Sequence, residues 1–594
     1  MADEKLTKIR HSLAHVMAAA VKEILPSVKF GIGPVIENGF YYDFDLNQKI
    51  SEELLPEIEK KMRKIITSKV PIQQEFILLE DAIKNENVQG QKYKVELLKE
   101  IKSGKRARIE SDAKQNKEGR VSYYKIGKFS DLCRGPHVKN TDDLPTEGFK
   151  LTHVAGAYWK GDSSSPQLQR IYAAAFQTKK ELEEYLWQQE EAKKRDHKKL
   201  GIELDLFTFS ELIGPGLPLW TPKGTMLRNL LDDFVWELRE RRGYKMVDIP
   251  HITKKELYEK SGHWDKFKDE LFKIESREGH FFAMKPMNCP HHIQIFDRHL
   301  HSYRNIPHRY ASTTKCYRDE QTGELNGISR TRAFTQDDAH VFCRKNQIKD
   351  EFNKVWDIVD EFYKIFGFGL EVRLSFHDPN KFERYLGNPQ TWKEAEEILS
   401  HLTKERSIKV TQAKGEAAFY GPKIDFMGKD SLGREWQLAT IQLDLNMPER
   451  FDLNCINEKG QKERIYLIHA AIMGSLERFI SILIEHYAGA FPVWLAPVQA
   501  IILPISEKFG KYTNQVFEAL EESDIRIEID SSNETIGKRI REAEKQKIPY
   551  ILIAGEKELK SKSVAVRERG KGDTGQMKID KFIEKLKKEI REKK

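Results

Sequence analysis

The stretch TRAFTQDDAHVFC, residues 331–343, narrows what can be built around it. An extended chain sends alternate side chains to opposite faces. Phe334, Gln336, Asp338 and His340 therefore share one side, and Thr335, Asp337, Ala339 and Val341 the other. A strand resting on a core should alternate apolar with polar. Here one face carries a ring, an amide, a carboxylate and an imidazole, the lining of a polar pocket.

The rest of the chain must supply the other walls. Its 594 residues argue for several domains with ample core, and 39% hydrophobic against 32% charged residues read as soluble and globular. No run approaches the roughly 18 apolar residues that a membrane helix needs. Asp3 and Glu4 stand where a signal or transit peptide avoids acids, so a cytoplasmic protein without membrane contact is expected. Five widely spaced cysteines with no CxxC pattern make a disulfide framework an unsuitable reading. A net charge of +8 is compatible with a polyanionic partner, although 100 basic and 92 acidic residues mostly make an ordinary salted surface.

Four regions follow from the patterning. Residues 1–177 open with a helix to about Leu25. A strand-like FGIGPVIENGFYYDFDL with an Asn38-Gly39 turn follows, and the region closes on LQRIYAAAF, an α+β mixture. Residues 178–200 form a highly charged helix with few core positions, of the kind that bridges domains. Residues 201–495 hold a long helix, TMLRNLLDDFVWELRERRG, and a strand KMVDIP ending at Pro250. Further strands are HRYASTTKCYR, the opening stretch, EWQLATIQLDL and RIYLIHAAI, which suggest an antiparallel sheet with helices on one side. In residues 496–594 the strands QAIILPI, IRIEI and YILIAG alternate with helices, a small α/β domain with a largely parallel sheet. Its last helix buries Ile579, Phe582, Ile583, Leu586 and Ile590 and leaves its lysines as a solvated face or an RNA contact.

Three groupings carry chemistry. Cys289, His340 and His469 could make a three-ligand zinc site with an open fourth position, or be packed core groups. CYRDEQTGELNGISRTRAF looks like two strands joined by a glycine-bearing loop, with Arg318 and Glu320 entering and Arg330 leaving. Arg478 follows a Gly-Ser turn at a helix start. Arginines on separate elements around Phe334 suit a nucleotide, whose ring stacks while guanidiniums grip phosphates; a surface ion-pair network is the alternative. At the N-terminus, His11 and His15 stand one helical turn apart and Cys133 and His137 four residues apart. That set serves a zinc site or a metal-free hydrolytic pocket equally.

In this order, RHSLAH, IGPVIENGFYYD, DLCRGPHV, AGAYWKGDS, GHWDKFKDELF, KPMNCP, RTRAFTQDDAHVFC, AFYGPKIDF, IQLDLNMPERF and GSLERF resemble the threonyl-tRNA synthetases of bacterial type. These are class II aminoacyl-tRNA synthetases, and the likeness spans essentially the whole chain. It implies a multidomain α+β protein: an editing domain (1–177), a linker helix (178–200), an antiparallel class II catalytic core (201–495) and an α/β anticodon-binding domain (496–594). The long helix and strand to Pro250 would be motif 1 at a homodimer interface.

The same resemblance implies site residues. Arg318 would hold the α-phosphate and the amino-acid carboxylate. Arg478 would reach the γ-phosphate and cover the adenine, with Phe334 on its other face and Glu320 at its edge or on the loop beside it. Arg330, Gln437 and Thr440 would complete the ATP site, with Mg²⁺ on the phosphates. Gln336, Asp338, Tyr420 and Gln442 would read L-threonine beside Lys423, which counts with Arg318 and Arg478 as catalytic. Cys289, His340 and His469 would hold one zinc per subunit that takes the threonine amino and hydroxyl groups together.

An apolar pocket could reject isosteric valine by only about a hundredfold, whereas a site that ligates the hydroxyl can reach roughly 10⁴ or more. Serine lacks only a methyl, worth about 1–3 kcal/mol, and should slip through. His11, His15, Lys94, Asp131, Cys133 and His137 would then hydrolyse seryl-tRNA(Thr), by the resemblance without metal and with an ordered water as nucleophile.

The sequence also departs from the family. The small ubiquitin-like β-grasp module that usually precedes the editing motif is not seen before residue 11. Ala470 stands where members carry Arg, Ala333 where Gly is usual, and QLAT (437–440) for Gln-Cys-Gly-Thr, changes expected to touch pocket packing at most. A regulatory RNA-binding paralogue would have lost Arg318, Arg478 or the ligands, and all are present. A free-standing zinc hydrolase would leave those arginines without work.

Overall fold

The computed structural model describes residues 2–46, 48–103, 119–162, 164–406 and 408–594. The chain divides into two compact units, Met1–Glu190 and Glu191–Lys594.

The first unit opens with helix α1 (Ala2–Ile24). Ile9, Leu13, Val16, Met17, Ala20 and Val21 recur at three- and four-residue steps and are buried, so this face belongs to the core. It packs with the apolar faces of β1 (Gly39–Asp45) and α2 (Leu55–Thr67). A small antiparallel sheet follows, made of β2 (Ile72–Leu78), β3 (Arg120–Ile126) and β4 (Phe129–Leu132), with α3 (Lys92–Lys102) between the first two. The larger sheet places β1 beside β6 (Gln167–Ala175), which pairs in turn with β5 (Phe149–Tyr158). The strand-like stretch over residues 30–46 turns at Asn38-Gly39 as expected, and its first half is further divided. Lys29–Phe30 and Val35–Ile36 pair with β1 as separate pieces. Between them the backbone runs so close to Tyr42 that a Cβ on Gly33 would stand 2.2 Å from its ring.

The charged helix read over 178–200 is two helices, α4 (Lys179–Arg195) and α5 (His197–Glu203). Asp196 leaves helical dihedrals between them, and its carboxylate caps the Lys198 N–H.

The second unit is built on an eight-stranded sheet. Its parts in chain order are α6 (Pro222–Glu240), β7 (Lys245–Met246), α7 (Cys289–Asp297), β8 (His308–Tyr317), β9 (Ala333–Cys343) and α8 (Ile348–Phe366). There follow β10 (Leu370–Phe376), β11 (Val410–Lys414), β12 (Lys423–Lys429), β13 (Glu435–Asp444), β14 (Tyr466–Ser475) and α9 (Leu476–Tyr487). The spatial order is β7-β8-β9-β14-β13-β12-β10-β11. All neighbours are antiparallel except the two end pairs, β7 with β8 and β10 with β11. KMVDIP contributes only its first two residues to the sheet, at an edge.

One face of the sheet is apolar. Val341, Ile441, Ile468 and Ile424 lie buried in one cluster with Phe352, Val355, Val359 and Phe362 of α8. Ala470 and Ala439 belong to this face too, at 2% and 0% exposure. They do not touch the pocket as expected: the pairing that turns His469 and Thr440 to one side turns their neighbours to the other.

Beyond residue 496, β15 (Ala500–Pro504), β16 (Ile527–Ile529) and β17 (Tyr550–Ala554) are parallel with β15 central. The sequence pattern predicts only these three strands. Two antiparallel strands, β18 (Ser563–Glu568) and β19 (Gly572–Lys578), extend the sheet before the final helix α10 (Ile579–Arg591). Among the described residues no helix is long and apolar enough to cross a membrane.

Candidate active sites

The polar face of β9 is continued by its neighbours through register. His340 stands opposite His469 on β14, His469 opposite Gln442 on β13, and Gln442 opposite Lys423 on β12. The next row is Asp338, Ala471, Thr440 and Asp425. Directly opposed residues share a face, so pairing alone assembles one floor from four strands.

At one end of this floor, single ligand atoms of Cys289, His340 and His469 lie within 4.8 Å of one another, all buried. His340 Nε2 faces His469 Nδ1 at 3.0 Å. The remaining nitrogens are held from outside: His340 Nδ1 by His292 Nδ1 at 2.8 Å, and His469 Nε2 by Asp444 Oδ2 at 2.9 Å. His292 is itself held by Ser312 at 3.0 Å. Burial keeps the His340 imidazole far below its ordinary pKa and therefore neutral, with the charges of His469 and His292 adding to the effect. Two imidazoles with fixed outer nitrogens and a thiol are the donor set that tetrahedral zinc takes. Tyr420 covers the site, stacked on His469 at 4.6 Å between ring centroids, and donates to Gln442 Oε1 at 2.6 Å. Burial pushes the Asp338 carboxyl up to about 6, the charge of His469 opposing the shift.

At the other end of β9 the guanidinium of Arg318 lies over Phe334 at 5.1 Å and over Phe267 at 5.4 Å. Its Nε is buried without a hydrogen-bond partner. Arg330 is engaged by Glu320 at 2.7 Å and Glu324 at 3.2 Å. Arg478 lies over Trp436 at 5.7 Å, so here Phe334 and Arg478 each stack on another group. Lys423 and Gln437 both reach the buried Asp425, at 3.1 and 2.8 Å. Asp425, Asp444, His292 and Trp436 were not singled out from the sequence. The first two stand two residues beyond Lys423 and Gln442, where strand parity alone would place them on the same face.

The first unit holds a separate constellation. His11 and His15 come from α1, Lys94 from α3 and Asp131 from β4, with Cys133 and His137 in the turn after it. Cys133 Sγ lies 3.3 Å from His11 Nε2 and 3.2 Å from His137 Nε2. Asp131 takes Lys94 at 2.6 Å, His15 at 3.2 Å and the hydroxyl of Tyr42. Ser12 holds the far nitrogen of His137 at 3.1 Å. Burial opposes ionising the Cys133 thiol, yet the charge of His15 and hydrogen bonds from His11 and His137 bring it down to about 3. His15 is carried up to about 9, with Cys133 and Asp131 outweighing its burial. The four donors His11, His15, Cys133 and His137 fall within 4.8 Å of one another.

Residues 272–487 match the tRNA synthetase class II core domain (G, H, P, S and T). Residues 499–589 match an anticodon binding domain, and 121–172 the threonyl and alanyl tRNA synthetase second additional domain. The chain is 47% identical over 585 residues to a threonine–tRNA ligase of Porphyromonas gingivalis, covering 98% of this chain and 87% of that one. The chain belongs to the threonyl-tRNA synthetases.

A second ligase, from Thermus thermophilus, is 46% identical over 602 residues, 99% of this synthetase and 89% of its relative. A crystal structure described as the RNA binding domain of the Cryptosporidium parvum threonyl-tRNA synthetase superposes with a TM-score of 0.63 at 37% identity. It covers 66% of this chain and 98% of that one. The synthetase is thus a tRNA ligase with a class II core and an anticodon-binding domain, acting on tRNA, ATP and an amino acid.

Proposed function

We propose that the synthetase joins L-threonine to tRNA(Thr) through a threonyl-adenylate and hydrolyses seryl-tRNA(Thr) in its first unit. The observation that carries the first half is the Cys289, His340 and His469 cluster, with both imidazoles held from outside by His292 and Asp444. Zinc held there would select an amino acid offering amino and hydroxyl groups together and would reject valine.

The chain's own residues do the remaining work. Asp338 and Gln336 face the ammonium, and Tyr420 and Gln442 close the side-chain pocket. A carboxylate oxygen of threonine attacks the α-phosphorus, the bond to the bridging oxygen breaks, and pyrophosphate leaves with Mg²⁺. Arg318, whose Nε has no partner, is free to take α-phosphate charge, while Arg478 and Lys423 steady the rest. Phe334, Glu320, Arg330, Gln437 and Thr440 seat the nucleotide. The terminal hydroxyl of tRNA then attacks the carbonyl carbon and AMP leaves.

In the first unit, a water would attack the seryl ester carbonyl, releasing serine and restoring the tRNA hydroxyl. Lys94 and Asp131, joined at 2.6 Å, orient the substrate, and the Cys133, His11 and His15 group handles the proton, without metal. The proposed arrangement is a cytoplasmic homodimer. Leu212, Leu219, Met226, Met246 and Ile252, on or flanking α6 and β7, are exposed apolar side chains that a second copy would cover.

The test is amino-acid-dependent ATP–pyrophosphate exchange with threonine, serine and valine, using native enzyme and Cys289→Ala assayed for zinc. Threonine exchange, weaker serine exchange and none with valine, all lost with the metal, supports the reading. Valine exchange close to that of threonine would overturn it.

A further inference from the structure

The polar groups on the back of β9 have no part in the floor. Asp337 is fully buried and points away from the pocket, where a core strand would carry an apolar residue. Its surroundings show why it is there. Between Gln336 and Asp338, β9 advances two residues, while its partner β14 advances four, from Ala471 to Ser475. The two extra residues bulge out of the ladder, with Gly474 at φ 70°, and free backbone N–H groups that have no strand partner. Asp337 collects them: Oδ2 accepts from Ile472 at 2.9 Å, and Oδ1 from Met473 at 3.1 Å and Gly474 at 2.7 Å.

The carboxylate is anchored from the other side. Arg239 of α6, 2% exposed, donates to Asp337 Oδ2 at 3.2 Å and to its carbonyl at 3.1 Å. Immediately beyond the bulge, Ser475 caps α9 by accepting the N–H of Arg478 at 3.2 Å. The same helix start is tied back to β9 by Glu477, which accepts the Thr335 N–H at 2.6 Å and its hydroxyl at 3.0 Å. Arg228, also on α6, donates to that hydroxyl at 2.6 Å. Thus the back face of β9 fixes where α9 begins, and with it the origin of the Arg478 side chain.

We infer that Asp337 is a positioning residue for ATP: with Arg239 it folds the bulge that aims Arg478, leaving amino-acid recognition on the front face untouched. This rests on the proposed assignment of Arg478 to the ATP phosphates. Asparagine at 337 loses the charge that Arg239 meets and turns an N–H₂ toward backbone N–H groups that need an acceptor.

The test is ATP–pyrophosphate exchange by the full-length enzyme, with KM for ATP and for threonine measured separately. In Asp337→Asn the KM for ATP should rise tenfold or more, while that for threonine stays within twofold and zinc content is unchanged. Arg239→Lys, which keeps a buried cation, should show the same split at a few-fold, and Arg239→Met a larger one. These two variants decide the matter should Asp337→Asn not fold. Equal losses for both substrates, or a lowered melting temperature with no change in the KM ratio, would mean a merely structural role and overturn the inference. Arg478→Ala separates the two layers. If it leaves the KM for ATP unchanged, the assignment of Arg478 is wrong. If it raises that KM and Asp337→Asn does not, the inference alone is wrong.

Discussion

Tyr420 and His469 lie face to face, their ring planes 21° from parallel, with the Tyr420 hydroxyl on Gln442. The stack holds the imidazole against the floor, and the hydroxyl sets the amide beside it. The two jobs separate by mutation. Tyr420→Phe keeps the stack and loses one neutral hydrogen bond worth about 1 kcal/mol. In pyrophosphate exchange the KM for threonine should rise roughly fivefold with that for ATP unchanged. A rise in both would show that the hydroxyl does not serve the amino-acid side alone.

Asp444 accepts from His469 Nε2 and, through its other oxygen, from the N–H groups of Asn446 and Met447. Asp444→Asn can keep the second duty while presenting an amide N–H₂ to His469, which disfavours the tautomer that leaves Nδ1 open. Zinc affinity, read by competition with a chromophoric chelator, should fall roughly ten- to hundredfold. Unchanged affinity would remove Asp444 from the site.

The Cys133 thiol lies near 3 and the His15 imidazolium near 9, so at pH 5–8 the pair is thiolate and imidazolium. An ordinary thiol, with a pKa of about 8.5, gains thiolate tenfold per pH unit below that value. Alkylation of Cys133 by iodoacetamide, followed by mass spectrometry of its peptide, should therefore be nearly flat from pH 5 to 8. In His15→Gln the thiol loses its opposing charge, its pKa rises, and the rate should climb with pH over the same window. A native rate that climbs like a free thiol would contradict the ion pair.

Lys94 and Asp131 are each about 4% exposed and depend on one another. Lys94→Met leaves the carboxylate with His15 and Tyr42 only. Deacylation of seryl-tRNA(Thr) should drop by at least a hundredfold, while threonine exchange, catalysed in the other unit, stays within twofold. Parallel loss of both activities would deny the division of labour.

Gly327 sits at φ 53°, where a Cβ would stand 2.3 Å from His197 Nε2. Gly327→Ala should lower the melting temperature of the second unit by several degrees and reduce exchange, because the loop between Arg318 and Arg330 must shift. Wild-type stability in this variant would show that His197 yields freely.

How much of this was legible follows from what each signal needs. Strand parity on residues 334–340 placed Phe334, Gln336, Asp338 and His340 on one face without any partner strand in view. Parity is blind to register, so it could not say that His469 would stand opposite His340, nor that Asp444 would hold it from behind. The break at Asp196 is a local event, one carboxylate capping Lys198, inside a run whose composition favours helix throughout. β19 is hard to read because GDTGQMK (572–578) carries little apolar alternation; it is held at the sheet edge by pairing with β18, a run of only six residues whose Val564 and Val566 do alternate. Asp337 was counted among the back-face residues, but its purpose depends on a bulge in a strand more than 130 positions away.

The floor can be regarded as a pegboard whose holes are set by antiparallel register. His340, His469, Gln442 and Lys423 occupy one row and Asp338, Ala471, Thr440 and Asp425 the next, each peg standing on a different strand. A slip of one residue would drive every peg through to the greasy side of the board, so the strands cannot be retuned by sliding. What can change, one hole at a time, is the peg. A board of this kind can be refitted for another amino acid by single replacements while the Phe334 end of β9, proposed for the nucleotide, stays as it is.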